Sequence, residues 1–322
     1  MKAILLEKYG STDNLIFTEY PKPEIKDDTV LIKLLFTSLN SADLDFIHGH
    51  PLVRFTGLFK PGYPILGSDC VGVIESCGKQ VKDYKVGDIV WADLSNPLHY
   101  GTLAEYVSAP ASSIQKIPSG ISLEDAACLP SAAMVALQNF NLNKKPENGD
   151  KVLVNGAGGG IGTILVQLLK STGADITAVD KVEKHQMLRS IGANRTIDYR
   201  AIDYTKESIE YDYVYDLLCA KKLSRCLSVV KKNGHFILLG GSTKNILLVL
   251  VLGPILSLMW NRKVKVGGWK ANNHEDFNRL AKLYKEGTIR PVIDRVIPLE
   301  KAIDGLKSLE LGNVLGKIVV QI

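Results

Sequence analysis

No CxxC pair occurs in this chain, and its five cysteines, Cys70, Cys77, Cys128, Cys219 and Cys226, form an odd set. That excludes the disulfide framework that staples small secreted domains and points to a reducing compartment, the cytoplasm. A secretory signal is missing as well, because the opening MKAILLEKYG has only four consecutive apolar residues before Glu7. Low-complexity tracts and internal repeats at solenoid or propeller periods are absent. A strong charge of one sign is lacking too: 39 Lys and Arg against 34 Asp and Glu leave a net +5, scattered along 322 residues. The densest pairs, Lys221-Lys222 and Lys231-Lys232, flank one predicted helix and read as a solvated face, so no nucleic-acid partner is expected.

Charge is missing altogether from Asn245 to Trp260, NILLVLVLGPILSLMW. A membrane-spanning helix needs ~20 apolar residues, and this run is shorter and interrupted by Gly253-Pro254. The expectation is no stable membrane insertion. The stretch should pack as buried helix and loop, as an apolar wall near a substrate or as a subunit contact in a homodimer.

What is present falls into two patterns. Up to about Ile117, short apolar and β-branched runs such as DTVLIKLLFTSLN, CVGVIESCG and GDIVWADL are separated by Gly, Pro, Asn and Asp, which predicts a compact β-rich domain without a convincing helix in its first part. From Ser119 the runs alternate with helical periods: KVLVNG, GIGTILVQLLKSTG, DITAVD, VEKHQMLRSIG, YDYVYDLL, KKLSRCLSVVKKNG, HFILLGG. This βαβ order implies a doubly wound parallel sheet. The remaining segments are too short for a domain of their own and should return to complete the first. The expected division is therefore 1–118 for the catalytic domain, 119–260 for the inserted dinucleotide-binding domain and 261–322 for the return.

VLVNGAGGGIGTILVQLLK places five glycines between a strand and a helix. Backbone N–H groups of Gly159, Gly160, Ile161 and Gly162 at a helix N-terminus can face a pyrophosphate, with the helix dipole favouring the anion. Against G-x-G-x-x-G the matching positions are Ala157, Gly159 and Gly162, so alanine stands at the first. Asp180, 18 residues after Gly162, ends the next predicted strand. A carboxylate there accepts from a ribose 2′-hydroxyl and favours NAD(H), whereas Lys181 and Lys184 beside it could hold the 2′-phosphate of NADP(H). Gly240 and Gly241 close a later strand at the end where such sheets receive ligands.

The chain resembles the medium-chain dehydrogenase/reductase superfamily, and within it the zinc-free quinone oxidoreductase (zeta-crystallin-like) branch. The ordered matches are LNSADLD, ILGSDCVGVIESCG, YKVGDIVWA, GTLAEYV, AACLPSAAMVALQNF and GNVLGKIVV. The resemblance implies a GroES-like β-rich domain with an inserted Rossmann domain, use of NADP(H) or NAD(H), and hydride transfer to a small-molecule acceptor. It also implies that Asn40 and Asp43 line the cleft near substrate or nicotinamide, although an Asn-x-x-Asp turn bonded to its own backbone fits the same residues. Zinc-dependent members need a cysteine and a Gly-His-Glu; here the first falls within SLNSAD and the second reads Gly67-Ser68-Asp69, so no metal is expected. The one close histidine spacing, His48-x-His50, reads as a solvated loop.

Without a Lewis acid, the acceptor must be reactive in itself, a quinone or an α,β-unsaturated carbonyl. Three further placements follow from the resemblance: Asp69 holds a loop, Lys317 approaches cofactor phosphates, and Lys270 and Asn272 resemble a segment that reaches the cleft. The branch's usual tyrosine and threonine fall at Asp45 and Val135. Their loss keeps open an alternative, a cofactor-binding member with little turnover and a structural or regulatory role.

Overall fold

The computed structural model describes residues 1–51, 53–95, 101–142 and 144–322, so that His99 lies outside the described residues. Two compact units emerge, Met1–Met134 with Lys270–Ile322, and Val135–Trp269. Both limits lie downstream of the expected 118/119 and 260/261. The first moves because the segment Leu123–Cys128 buries Ala126, Ala127 and Cys128 within the β-rich unit. The second moves because Lys263–Val266 forms the last strand of the parallel sheet.

The chain begins with a hairpin of β1 (Lys2–Leu6) and β2 (Leu15–Glu19). Then comes the long β3 (Thr29–Ser38), followed by an eight-residue helix, α1 (Ser41–His48). That helix breaks the all-strand reading of the region. Asn40 caps its start, its own N–H donating to the Asp43 carboxylate at 2.8 Å. Gly49, at φ +66°, ends it in the left-handed conformation that favours glycine. β4 (Asp69–Cys77), β5 (Ile89–Asp93), β6 (Tyr106–Pro110), β7 (Gln115–Lys116) and α2 (Leu123–Cys128) complete this part.

The second unit opens with α3 (Met134–Phe140) and winds through β8 (Lys151–Asn155), α4 (Gly160–Lys170), β9 (Asp175–Asp180), α5 (His185–Ile191), β10 (Arg195–Asp198), β11 (Tyr211–Asp216), α6 (Leu223–Ser228), β12 (Val230–Leu238), α7 (Thr243–Trp260) and β13 (Lys263–Val266). The strand order β10-β9-β8-β11-β12-β13, parallel throughout, is that of a dinucleotide-binding sheet. Its central strands β8 and β9 are buried over all but their first residues. Helix α6 is six residues long where a longer one was expected, because the VVKKNG segment already belongs to β12. Asn233, at φ +63°, bends that strand, and its ladder to β11 shifts register between Tyr211 and Tyr213.

The charge-free stretch departs furthest from expectation. It forms one continuous helix, α7, running straight through Gly253-Pro254. Proline removes one helical N–H, but Pro254 and the residue four before it, Leu250, are both exposed, so water can satisfy the freed carbonyl. Nor is the helix buried. Val249 and Gly253 are enclosed, with Ile246, Leu248, Leu256 and Trp260 leaning on the core beneath. Leu247, Leu250, Val251, Ile255, Leu258 and Met259 stand 50–85% exposed. By length and composition α7 could cross a membrane.

The return segment brings α8 (His274–Lys285), β14 (Ile293–Pro298), α9 (Ala302–Glu310) and β15 (Lys317–Gln321) back to the first unit. β15 pairs antiparallel with β3 and parallel with β14, in a sheet ordered β14-β15-β3-β4-β5-β7. The final strand thereby lies beside the strand that leads to Asn40.

Candidate active site

Strand register assembles the polar cluster of the first unit. Val319 of β15 faces Ser38 of β3, so two residues further along the antiparallel pair Lys317 comes level with Asn40. On the other side of β3, Phe36 faces Val71 of β4, which carries Asp69 to the level of Ser38. Three sheet neighbours thus deliver Lys317, Asn40 and Asp69 to one spot.

Their side chains are bonded to one another. Lys317 Nζ donates to Asn40 Oδ1 and, at 3.2 Å, to Asp69 Oδ2. Asn40 Nδ2 donates to the same Asp69 oxygen at 2.9 Å and lies 3.3 Å from Ser68 Oγ. Ser38 Oγ donates to Asp69 Oδ2, and Ser131 N to Asp69 Oδ1 at 2.9 Å. Ser38, Ser68, Asp69 and Lys317 are all buried. A buried ion pair is tolerated only when its remaining lone pairs and protons are also satisfied, and here the Asn40 amide, the Ser38 hydroxyl and the Ser131 N–H do so.

Asp43, expected among the catalytic residues, is enclosed and serves the backbone: Oδ2 accepts from Asn40 N at 2.8 Å and Oδ1 from Gly67 N at 3.2 Å. The Asn-x-x-Asp turn and the polar cluster therefore coexist, with Asp43 orienting the residue that joins the cluster. Lys317 lies in this cluster rather than at a phosphate-binding turn. Asn272 reaches no open site either, since its amide brackets Asp93, donating to Asp93 O at 2.7 Å and accepting from Asp93 N at 2.8 Å. Asp45 is exposed on α1 and Val135 is buried.

In the second unit the glycine-rich turn joins β8 to α4. The left-handed residue of the turn is Gly156, at φ +83°, one position before the alanine that replaces the motif's first glycine. Ala157 is buried and is not in the left-handed conformation, so that place does not need a glycine. Gly162 lets the helix sit on the turn, because a Cβ there would lie 2.5 Å from Ala157 O. Above Gly159 the nearest atom to a Cβ would be Gly156 O at 3.8 Å, which leaves open space at the helix start. Gly159 caps α4 without a side-chain bond, and the first N–H groups of a helix have no intrahelical acceptor. Gly160, Ile161 and Gly162 therefore form the kind of anion cradle that a pyrophosphate fills.

Asp180 ends β9 beneath that cradle. Its Oδ2 accepts from Gly158 N at 2.7 Å, its Oδ1 from Lys181 N at 2.8 Å, and Lys184 Nζ lies 3.5 Å from Oδ1. The carboxylate thus braces the turn and is charge-paired. Gly240 and Gly241 follow β12, where a Cβ on Gly240 would fall 2.2 Å from Leu217 O. These glycines allow the loops after β11 and β12 to touch.

A glycine-lined helix start and an acidic strand end on a doubly wound sheet, carried in one chain with an antiparallel β-rich unit, define a nicotinamide-nucleotide oxidoreductase. Comparison with known proteins agrees. Residues 26–119 match the alcohol dehydrogenase GroES-like domain and residues 191–320 the zinc-binding dehydrogenase family. The chain is 31% identical to 2-methylene-furan-3-one reductase of Solanum lycopersicum, over 99% of its own length and 79% of that protein's. It is 30% identical to the chloroplastic NADPH-dependent alkenal/one oxidoreductase of Arabidopsis thaliana, with the same coverage. Among solved structures, the quinone oxidoreductase from Coxiella burnetii superposes with a TM-score of 0.87 at 27% identity, covering 100% of this chain and 99% of that one. The chain belongs to the medium-chain dehydrogenase/reductase superfamily, in its quinone oxidoreductase-like branch.

Sequence reasoning missed Ser38, Ser68 and Ser131 as members of the cluster and Gly156 as the turn residue. For the first three no local signal exists, because the pairing of β3 with β4 and the helical turn at Leu129–Ala133 bring them together. For Gly156 the signal was present, a glycine immediately before the alanine.

Burial pushes the Asp43 carboxyl up to about 6, against the lowering effect of the Asn40 N–H and of Lys317. A carboxyl with a raised folded value contributes stability that is present below its unfolded value, near 4, and lost as pH rises through about 6. The loss is on the order of 3 kcal/mol. Asp43→Asn should therefore gain on the wild type in urea midpoint between pH 4 and 7; a difference that stays flat over this range would show that Asp43 titrates normally.

Proposed function

We propose that this protein transfers a hydride from NAD(P)H to a quinone or an α,β-unsaturated carbonyl without a catalytic metal. The observation that carries the reading is Lys317. Asn40 and the Ser68-Asp69 pair stand where zinc-dependent relatives would need thiolate and imidazole, and an ammonium already lies between Asn40 and Asp69. Such a donor set does not suit zinc, and a dication there would meet the lysine charge at close range.

When bound, the nicotinamide supplies the hydride. Gly160, Ile161 and Gly162 would hold its pyrophosphate, and Asp180 keeps the turn that presents them. Asn40, partly exposed and fixed by Lys317 and Asp69, is the residue of the cluster placed to orient an acceptor. Lacking a Lewis acid to polarise a carbonyl, the chain suits acceptors that take hydride readily. The names of its relatives, an alkenal/one oxidoreductase and a quinone oxidoreductase, describe such acceptors. Purified protein with NADPH should reduce benzoquinones and enones and leave simple ketones untouched. Tight cofactor binding without oxidation by any of these acceptors would instead support the alternative of a binding protein with little turnover.

Within this reading NADPH is the preferred donor. Asp180 is engaged by Gly158 N and Lys184, which weakens its repulsion of a 2′-phosphate, and Lys181 adds a cation beside it. Lys181→Ala should raise the KM for NADPH about ten-fold, the effect of one lost charge-assisted bond, and leave that for NADH nearly unchanged. A higher kcat/KM with NADH in the wild type would overturn the preference. Five free cysteines, none of them disulfide-bonded, support the cytoplasm as the compartment.

A two-fold dimer accounts for α7. Six large apolar side chains stand exposed along one helix, and Lys244 is the helix's sole charge, whereas an interfacial membrane helix needs a strongly charged face. Beside it, β13 ends the sheet and gives a copy of the same strand an edge to pair with. Light scattering should give twice the mass of one chain for the wild type and a single mass for Val251→Asp/Leu258→Asp. A wild-type monomer, or one that floats with lipid vesicles, would refute the dimer.

A further inference from the structure

At the carboxyl end of β11, the second unit gathers Asp216, Cys219 and Cys226, each buried, with one donor atom of each within 4.8 Å of the others. Asp216 ends β11, Cys219 lies in the loop that follows and Cys226 faces it from α6. We propose that these residues form a binding site for a thiophilic divalent cation of the zinc class, distinct from the Lys317 cluster.

Three observations support it. One carboxylate oxygen has no partner: Asp216 Oδ1 accepts from Asn155 Nδ2 at 2.7 Å, from Cys219 N at 2.7 Å and from Leu218 N at 3.1 Å, whereas Oδ2 is buried and unbonded. A buried carboxylate oxygen left without hydrogen bond or cation is costly, and a metal would remove the cost. Next, each of the three donors is oriented from behind. Asn155 and the loop N–H groups hold Asp216, Asn245 Nδ2 lies 3.4 Å from Cys219 Sγ, and Tyr204 Oη lies 3.6 Å from Cys226 Sγ. Outer hydrogen bonds of this kind are what fixes ligands in built metal sites. Finally, Cys219 keeps its side chain at φ +41°, a left-handed conformation that favours glycine. Strain held by a non-glycine residue is the pattern of a functional position.

Tetrahedral zinc with bonds of roughly 2.0–2.3 Å sets its ligands roughly 3.3–3.8 Å apart, so closure by at most about 1.5 Å is required. A disulfide would have to draw the sulfurs to about 2.05 Å. In a reducing compartment the two thiols also stay available to a metal.

Metal entry displaces the thiol protons of Cys219 and Cys226. Binding should consequently release protons and weaken as pH falls. A fourth ligand position is left for water.

The test is a cobalt titration of the reduced, chelator-treated full chain. One equivalent should bind, with a thiolate-to-cobalt charge-transfer band, and zinc should displace it. Cys219→Gly suits the left-handed backbone and should fold, yet abolish the band; Cys226→Ser should abolish it as well. Asn245→Ala, which removes no ligand but the outer bonds to Cys219 O and Cys219 Sγ, should weaken cobalt binding about ten-fold. The proposal fails if the reduced wild type shows no such band, or if the band survives in Cys219→Gly. It also fails if the protein as purified proves two hydrogens lighter than its thiol form, which would mean a Cys219–Cys226 disulfide.

Discussion

The contact of Lys317 with Asp69 and Asn40 is the interaction on which the β-rich unit's chemistry rests. It joins the last strand of the chain to β3 and β4, two strands formed more than two hundred residues earlier. An ammonium and a carboxylate removed from water repay their desolvation only when every remaining donor and acceptor finds a partner, and Ser38, Asn40 and Ser131 provide those partners. Removing one member would leave the other charged and enclosed, at about 3–5 kcal/mol. On the function proposed above, the same pairing takes the place of a catalytic metal, and the structural constraint would then also narrow the chemistry to acceptors that need no Lewis acid.

In the second unit a single carboxylate plays the comparable part. Asp180 braces the glycine-rich turn from below while Gly162 lets α4 settle upon it. Asp216 does the same for the neighbouring loops: its carboxylate gathers Asn155, Leu218 and Cys219, and its carbonyl accepts from Leu239 N at 2.8 Å. The carboxyl ends of β8, β11 and β12 are thus tied together by one residue. Ligands of open parallel sheets settle at such ends, and rigidity there serves positioning.

The architecture was legible because its signals are local and periodic. βαβ alternation, a glycine-rich turn after an apolar strand and an acidic residue at the next strand's end each lie within a short window. The candidate site was legible only in part. Asn40 could be singled out from its segment, but Lys317 was assigned to phosphates because nothing near it in sequence reveals that β15 lies beside β3. Register between strands distant in the chain is set by packing, and no window around Lys317 contains that information. The metal-type cluster was illegible for the same reason: Cys219 and Cys226 are seven residues apart, a spacing that matches no ligand motif, and a loop and a short helix bring them face to face.

Helix α7 shows the opposite failure, a strong local signal that misled. Its apolar composition implied burial, and Gly253-Pro254 implied a break. Composition records only that a surface avoids water, not which partner covers it. Val249 and Gly253 meet the core of their own unit, and the outward stripe from Leu247 to Met259 is equally apolar and left exposed among the described residues. A helix apolar all round has two faces to cover, and one sheet can cover one of them. Its proline is tolerable because it lies on the outward face, where water or a polar group of another chain can reach the carbonyl of Leu250. A fully buried helix would have had no such remedy, so the position of Pro254 itself argues that this face meets something other than the protein's own core.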